Sequence, residues 1–535
     1  MRDFLLSIHY DYWILPTLLA IPLLGALLVL FTGRESAASD GEDEVASGAA
    51  RGPRVLATAV FAIEFILSLG LWWAFDPTFD GWQQSFDRRW IPSWGIRFTL
   101  GLDGIALMMV LLTTFIMLLA SYGSFTSIRR KSRAYYALLL VLTTGMLGVF
   151  MSLDLFLFYV MWEAMLIPMY FIVGIWGGER RIYASLKFFI YTMIGSLLML
   201  VGIVYLGTHQ PPTSVNGIVM SVPNFSYDAA LTTAQFTQRG ALWLFGAFFL
   251  AFAVKVPMFP LHTWLPDAHV EAPTAGSVVL ASIMLKLGTF GFLRLAVPLF
   301  PTAAMHPVVR TTVLVLAVVG IVYGALVSLV QPDFKKLVAY SSVSHLGFVM
   351  LGIFALTVQS VQGALMVMIN HGLSTGALFF LIGMIYERRH TRLIENYGGI
   401  ARVVPLFAAL LTFVSLSSIG LPGTNGFIGE FLVLLGAFRT TPVLTLIATT
   451  AVIISAAYLL WAIQRILFNA LDKRENEHVP DLNRRELLLM APLLAGIIWL
   501  GVYPAPVLRR MELASEKFVR QVESKSAVRT ASGDQ

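Results

Sequence analysis

The sequence contains no cysteine, and that absence removes several chemistries at once. Thiolate-held iron–sulfur clusters, disulfides and thiol catalysis are excluded, so any redox chemistry tied to this chain sits on a partner. Charge is scarce too: 13% of residues are charged against 57% hydrophobic. No glycine-rich phosphate cradle occurs, so nucleotide hydrolysis is not indicated. No stretch is long and polar enough for a soluble domain. The N-terminus also lacks a signal-peptide cleavage pattern. Its first apolar stretch, Trp13 to Phe31, is long enough to span and runs into the charged "GRESAASDGEDE", so it reads as a first membrane helix.

What fills the chain is hydrophobic runs. Mean hydropathy is +0.76, and about 14 apolar segments near 20 residues long follow one another, the pattern of an all-α polytopic membrane protein. The net charge of +6 is uneven, and its placement orients the chain; it is not a nucleic-acid signal. Loops after odd-numbered helices carry "SIRRKSR" (127–133), "GGERRIY" (177–183), "ERRHTR" (387–392) and "DKRENEHVPDLNRRE" (472–486). With Arg34, Arg51, Arg54, Lys187, Lys335, Lys336 and Arg402 that face holds about 20 Lys and Arg against about 8 on the other, which makes it cytoplasmic and puts both termini outside. The segment from Val507 to Arg529 then lies outside despite its basic residues; interspersed Glu512, Glu516 and Glu523 make it an interfacial amphipathic helix.

Two helices are interrupted, the seventh at "KVPMFP" and the twelfth at "SIGLPGTNGFIGE" (418–430). Proline removes a backbone donor and clashes with the preceding turn, so both should break at mid-membrane, where irregular backbone is tolerated only against protein or a wet cavity. If helices four to eight and nine to thirteen are two units, each has five helices, so the second is inverted, and the broken helix is fourth in both. Interrupted segments at matching places in inverted halves point to a transporter's central site.

Six ionisable residues fall where no loop can take them: Glu163 in "YVMWEAMLIP", Lys255, Lys286 in "ASIMLKLGTFGF", His345 in "YSSVSHLGF", His371 in "MINHGLSTGA" and Glu430 in "GFIGEFLVLL". Each midplane charge costs at least about 2.5 to 3.5 kcal/mol on insertion scales, so they should face the interior, paired or hydrated. Burial penalises the charged form, which suits such groups to proton exchange. The plainer accounts are a structural ion pair for Glu163 and Lys255, and hydrogen-bonded core rings for the histidines, with Ser341, Ser342 and Ser344 near enough to satisfy or hydrate them. Lys187 in "ASLKFFIYT" joins the series, although it can equally snorkel to the basic face. Glu64 and Asp103 lie outside the two units and read as structural. His262 and His269 flank Asp267 and Glu271 in "HTWLPDAHVE", but the spacing matches no HExxH pattern and prolines break the helix such ligands need, so a loop cap between half-helices is the expectation.

These stretches carry a resemblance. "FAVKVPMFPLHTWLPDAHVEAPTAGSVVLASIMLKLGTFG", "DFKKLVAYSSVSHLGF", "INHGLSTGALFFLIGMIYERRHTR" and "LPGTNGFIGEF" resemble the antiporter-like, proton-translocating subunits of respiratory complex I, relatives of multisubunit cation/proton antiporters. The resemblance covers helices three to thirteen. It implies that Glu163 and Lys255 form a pair, that Lys286, His345 and His371 continue a proton path, and that Glu430 is its exit. Glutamate at that last position, where sister subunits mostly carry lysine, points to the subunit M branch. The implied organisation is one membrane domain over 1–535. Helices one to three occupy 13–122 with an outer β-hairpin near 79–101, the first five-helix repeat 135–299 and the inverted second repeat 307–470. A last helix and C-terminal amphipathic helix take 486–535.

The same resemblance implies a non-redox subunit of NADH:quinone oxidoreductase in a bacterial cytoplasmic membrane, with no catalytic activity of its own. It would bind no cofactor, FMN, iron–sulfur clusters and quinone being carried by partner subunits, and its partners would be other membrane-arm subunits, including two sister antiporter-like subunits, and the lipid bilayer. A multisubunit sodium/proton antiporter, a membrane-bound hydrogenase or formate-oxidising complex, and a passive scaffold remain as alternatives.

Overall fold

The computed structural model describes residues 1–32, 51–210, 213–215, 218–220, 223–233 and 236–532. Arg34, the "GRESAASDGEDE" stretch and parts of the loop 207–235 lie outside those residues. Among the described residues, twelve helices are long and apolar enough to cross a membrane. In order they are Tyr10–Phe31, Arg51–Ala74, Gly104–Gly123, Ser132–Met151, Leu155–Trp176, Arg181–Thr208, Thr274–Leu299, Pro307–Leu329, Phe334–Ala355, Val358–Arg389, Pro442–Phe468 and Arg484–Val502. Two further spans are each built of two shorter helices: the seventh from Gln238–Lys255 and Trp264–Glu271, the twelfth from Pro405–Ile419 and Asn425–Phe438. That makes fourteen spans among the described residues.

Spans eight and eleven are buried over 100% of their apolar windows and span ten over 94%, against 33% for spans two and thirteen. Three central helices are therefore wrapped by an outer ring whose apolar side chains face outward, as a lipid environment allows. Glycines bring the inner helices close: a Cβ on Gly363 of span eleven would meet the Val433 backbone nitrogen of span twelve at 2.5 Å.

At the face opposite the basic loops, β1 (Gln83–Ile91) and β2 (Ile96–Leu102) pair antiparallel. The Arg97 amide donates to Asp154 Oδ2 at 3.1 Å, and Asp154 Oδ1 accepts from the Phe156 and Leu157 amides at 3.0 Å as the N-cap of the fifth span. A lateral helix, Ala505–Ser532, packs Val507, Met511, Phe518, Val519 and Val522 inward, and Lys517 pairs with Asp80 beside the hairpin at 2.9 Å.

Candidate functional site

The seventh span breaks because Pro257 has no N–H for the carbonyl of Ala253. The Met258 amide takes that carbonyl instead, at 2.9 Å, and the carbonyl of Val254, which would have bonded Met258, is satisfied at 2.9 Å by the indole N–H of Trp264, the first residue of the second half-helix. Lys255 is thus the last residue of a half-helix, at the end whose carbonyls favour a cation. It is 1% exposed. Its ammonium has no hydrogen-bond partner and lies 5.6 and 5.3 Å from the ring centroids of Trp162 and Phe188.

Glu163 stands at an interruption of the fifth span that sequence reading did not identify. Pro168 leaves the Ala164 carbonyl without its helical donor, and the fifth span divides at Met165 into Leu155–Ala164 and Leu166–Trp176. Ser196, Lys255 and Tyr159 are the groups acting on its carboxylate, and its Oε1 has no hydrogen-bond partner. The expected Glu163–Lys255 pair is therefore close enough to interact electrostatically without direct contact, because the ammonium is drawn to aromatic faces.

Lys286 lies on the fully buried eighth span between two π-turns, Leu280–Met284 and Phe292–Ala296. Widened turns take carbonyls out of helical register, and Lys286 Nζ donates to one of them, Ala281. It also meets His371 Nδ1 of span eleven at 2.6 Å. The His371 ring lies 5.6 Å, centroid to centroid, from that of His345 on span ten, and His345 Nδ1 meets Glu430 Oε1 at 2.7 Å. Lys286, His371, His345 and Glu430 thus form one line across three central helices and the broken twelfth. In both histidines Nδ1 is engaged and Nε2 is not. Ser341, Ser342 and Ser344 satisfy neither ring; their hydroxyls donate to the carbonyls of Val338, Val338 and Ile321.

The twelfth span breaks at Gly420 and Gly423, with φ of +90° and +89°, a conformation glycine adopts without strain. Asn425 opens the second half-helix and is sewn to span eleven. Asn370 Nδ2 donates to its carbonyl at 2.5 Å, its own Nδ2 donates to the Asn370 carbonyl at 3.3 Å, and its Oδ1 accepts from Ser374 and Ser417 at 3.0 and 2.6 Å. Glu430 follows five residues later. A cavity of about 20 Å³ is lined by His345, His371, Glu430, Asn370, Ser374 and Thr375 among others.

Lys187 is apart from this line. Its ammonium pairs with Asp267 Oδ2 at 2.7 Å and donates to the Thr263 carbonyl at 3.0 Å, anchoring the half-helix beyond the seventh break. The His262 ring stacks on Phe259 and His269 on Phe379, and no group of three or more residues able to hold a metal occurs among the described residues.

Lys335 was missed by sequence reasoning, and His269 was read there only as part of a loop cap. Lys335, counted there as a loop charge, is buried and donates to the Ala272 carbonyl at 2.6 Å, in the wall of a cavity of about 450 Å³ that Glu271, Glu387, His390 and Arg392 also line. His269 is fully buried with neither ring nitrogen hydrogen-bonded, within electrostatic reach of Lys335 and Lys286. A lysine just after a helix start reads as exposed; only the fold turns it inward.

Against known proteins, the chain is 46% identical over 459 residues to "NADH-quinone oxidoreductase subunit M" of Rhodobacter capsulatus, covering 85% of this chain and 88% of that one. The chain belongs to the NADH-quinone oxidoreductase subunit M family. Residues 152–455 match the family described as NADH:quinone oxidoreductase/Mrp antiporter, TM, a segment that holds all six residues of the buried series. The chain is also 39% identical to "NADH-ubiquinone oxidoreductase chain 4" of Marchantia polymorpha over 94% of this chain and 96% of that one. Its fold recurs in a chain of respiratory complex I from Thermus thermophilus, with a TM-score of 0.83 and 31% identity over 95% of this chain and 99% of that one.

Proposed function

We propose that this chain is the proton-translocating membrane-arm subunit of an NADH:quinone oxidoreductase, moving protons through buried Glu, Lys and His residues while partner subunits transfer the electrons. The observation that carries the reading is the line from Lys286 through His371 and His345 to Glu430, with contacts of 2.6 and 2.7 Å at its two ends. A neutral imidazole accepts a proton on one nitrogen and releases one from the other. Lys286 Nζ passes a proton to His371 Nδ1, His371 Nε2 passes one towards His345, and His345 Nδ1 delivers to Glu430 Oε1 for outward release. The cavity walled by Lys335 supplies protons from the basic face, with His269 between it and Lys286.

Lys255 and Glu163 act as the switch. The ammonium, held over Trp162 and Phe188 without an acceptor, responds to any change in the charge or position of Glu163, and an adjoining subunit that shifts Glu163 changes the field felt by the rest of the line. Helices four to eight and nine to thirteen then serve as inverted repeats, each with its broken fourth helix beside a titrating residue. FMN, iron–sulfur clusters and quinone fall to partner subunits, and this chain has no independent activity. The partners are other membrane-arm subunits, among them two sister antiporter-like subunits. The setting is a bacterial cytoplasmic membrane with the basic loops inside and both termini outside.

The test is NADH-driven proton uptake in inverted membrane vesicles with assembly checked in parallel. Glu430→Gln should assemble, oxidise NADH and take up fewer protons per NADH, while Glu430→Lys retains uptake; unchanged uptake in Glu430→Gln removes the exit role. A sodium/proton antiporter subunit, which the joint family description keeps in view, would instead give sodium-driven proton movement without NADH.

A further inference from the structure

Between Lys286 and Glu430 the proposed proton line has one gap, between His371 and His345, whose rings lie 5.6 Å apart by centroid, while the steps on either side of it are direct hydrogen bonds. The Nδ1 atoms are taken by Lys286 and Glu430, so the nitrogens left for the gap are the two Nε2 atoms, both buried and without partners. A third buried polar atom nearby is also unpartnered: Asn370 Oδ1. Its orientation is forced. The Asn425 carbonyl can only accept, so the Asn370 amide nitrogen must face it, at 2.5 Å, and the oxygen is turned away. Asn370 is 3% exposed and, with both histidines, lines the cavity of about 20 Å³, to which Thr375, Ser374 and Ser418 add hydroxyls. A water needs about 10–15 Å³ of such space and two to four polar partners; the cavity offers both.

We propose that Asn370 is a positioning residue for the proton step between His371 and His345, its side-chain oxygen fixing a single bridging water in this cavity while its amide nitrogen clamps the broken twelfth helix through Asn425. The water accepts the proton released from His371 Nε2 and gives one of its own to His345 Nε2, so it is left unchanged. The inference rests on the proton-translocation reading above. It explains why a break that carries Glu430 is sewn to the residue directly before His371: the clamp keeps acceptor and donor in register with the water.

The experiment compares NADH-driven proton uptake in H2O and D2O in inverted vesicles for wild type, Asn370→Ala, Thr375→Val and, as a control, Glu430→Gln, with the complex quantified in each membrane. Asn370→Ala should assemble, lose about tenfold in coupled uptake, the order expected when one hydrogen bond that positions a transferring proton goes, and show a larger H2O/D2O rate ratio, because proton transfer across the gap becomes limiting. A purely structural role would lower the amount of complex or the rate without moving that ratio. Thr375→Val, of matched volume and away from the Asn425 clamp, should shift the ratio in the same direction and keeps the question open to measurement if Asn370→Ala does not assemble. Wild-type uptake, or a slower rate with an unchanged ratio, overturns the proposal. If Glu430→Gln itself pumps normally, the proton line as a whole is wrong; if Glu430→Gln fails and the Asn370 and Thr375 variants behave as wild type, only the water site is.

Discussion

At the residue scale, three arrangements that accommodate charge recur among the described residues: a direct ion pair, hydrogen bonds to freed backbone carbonyls, and contact with aromatic faces. Asp87 shows the first, at the hairpin and outside the spans. The Arg97 guanidinium, with Nε at 2.8 Å, and the Thr99 hydroxyl hold its carboxyl below the usual carboxylate range. A depressed folded pKa contributes stability above the unfolded value, near about 3.9, and loses it as pH falls through the folded value. Corrected for intrinsic exchange at each pH, the protection of the β1 and β2 amides in wild type should therefore fall below about pH 4, while Asp87→Asn should be less protected at neutral pH and lose that acid dependence. Lys286 shows the second arrangement and Lys255 the third. Of the buried series, the identity of every residue was legible, because a charge inside a 20-residue apolar run stands out. What each one touches was not: the Glu163–Lys255 contact is electrostatic only, the serines of "YSSVSH" bond backbone, and Lys335 looked like a loop charge because the helix that buries it is packed from residues sixty positions away.

At the element scale, four of the six residues of the series sit beside a helix irregularity: half-buried Glu163 before Met165, Lys255 at Pro257, Lys286 between π-turns and Glu430 after the Gly420–Gly423 break. Irregular turns free carbonyls and admit polar side chains where a regular helix would present only its apolar surface. The proline and glycine breaks of spans seven and twelve could be read from sequence, since Pro and Gly are chemically marked; the π-turns could not, as "LASIM" and "FLRLA" contain no such residue. The seventh break is closed by Trp264, whose indole N–H donates to the Val254 carbonyl at 2.9 Å. Trp264→Phe should thus cost about 1–3 kcal/mol by leaving that carbonyl unsatisfied, seen as a lower thermal transition of the purified complex. In the twelfth, a Cβ on Gly426 would meet the Ser417 carbonyl at 2.0 Å. Gly426→Ala should destabilise by about 1–3 kcal/mol through overpacking and displace Glu430, so proton uptake should fall more than NADH oxidation.

At the scale of the whole molecule, the outer face is tied into one girdle. Arg294, in the second π-turn of the Lys286 helix, pairs with Asp103 at 2.6 Å and lies over the rings of Trp82 and Phe290. Trp82 in turn donates to Asp228 at 2.9 Å, and the lateral helix contributes Lys517 to Asp80 and Arg510 to the Trp72 carbonyl at 3.1 Å. Breaking so buried a pair costs about 3–5 kcal/mol. Arg294→Met should free the lateral helix, read as faster proteolysis near residue 505 with the amount of membrane-inserted chain unchanged. Fourteen spans and the amphipathic end were legible from hydropathy; the girdle was not, since its members come from five separate stretches and only their convergence gives them a role. Lys286 bonds both a loosened carbonyl and the histidine line, so its removal bears most directly on whether this line carries protons. NADH-driven proton uptake per NADH oxidised, measured in inverted vesicles with Lys286→Ala in a fully assembled complex, should fall below the wild-type ratio while NADH oxidation persists. An unchanged ratio would contradict the proposal that this buried line carries protons.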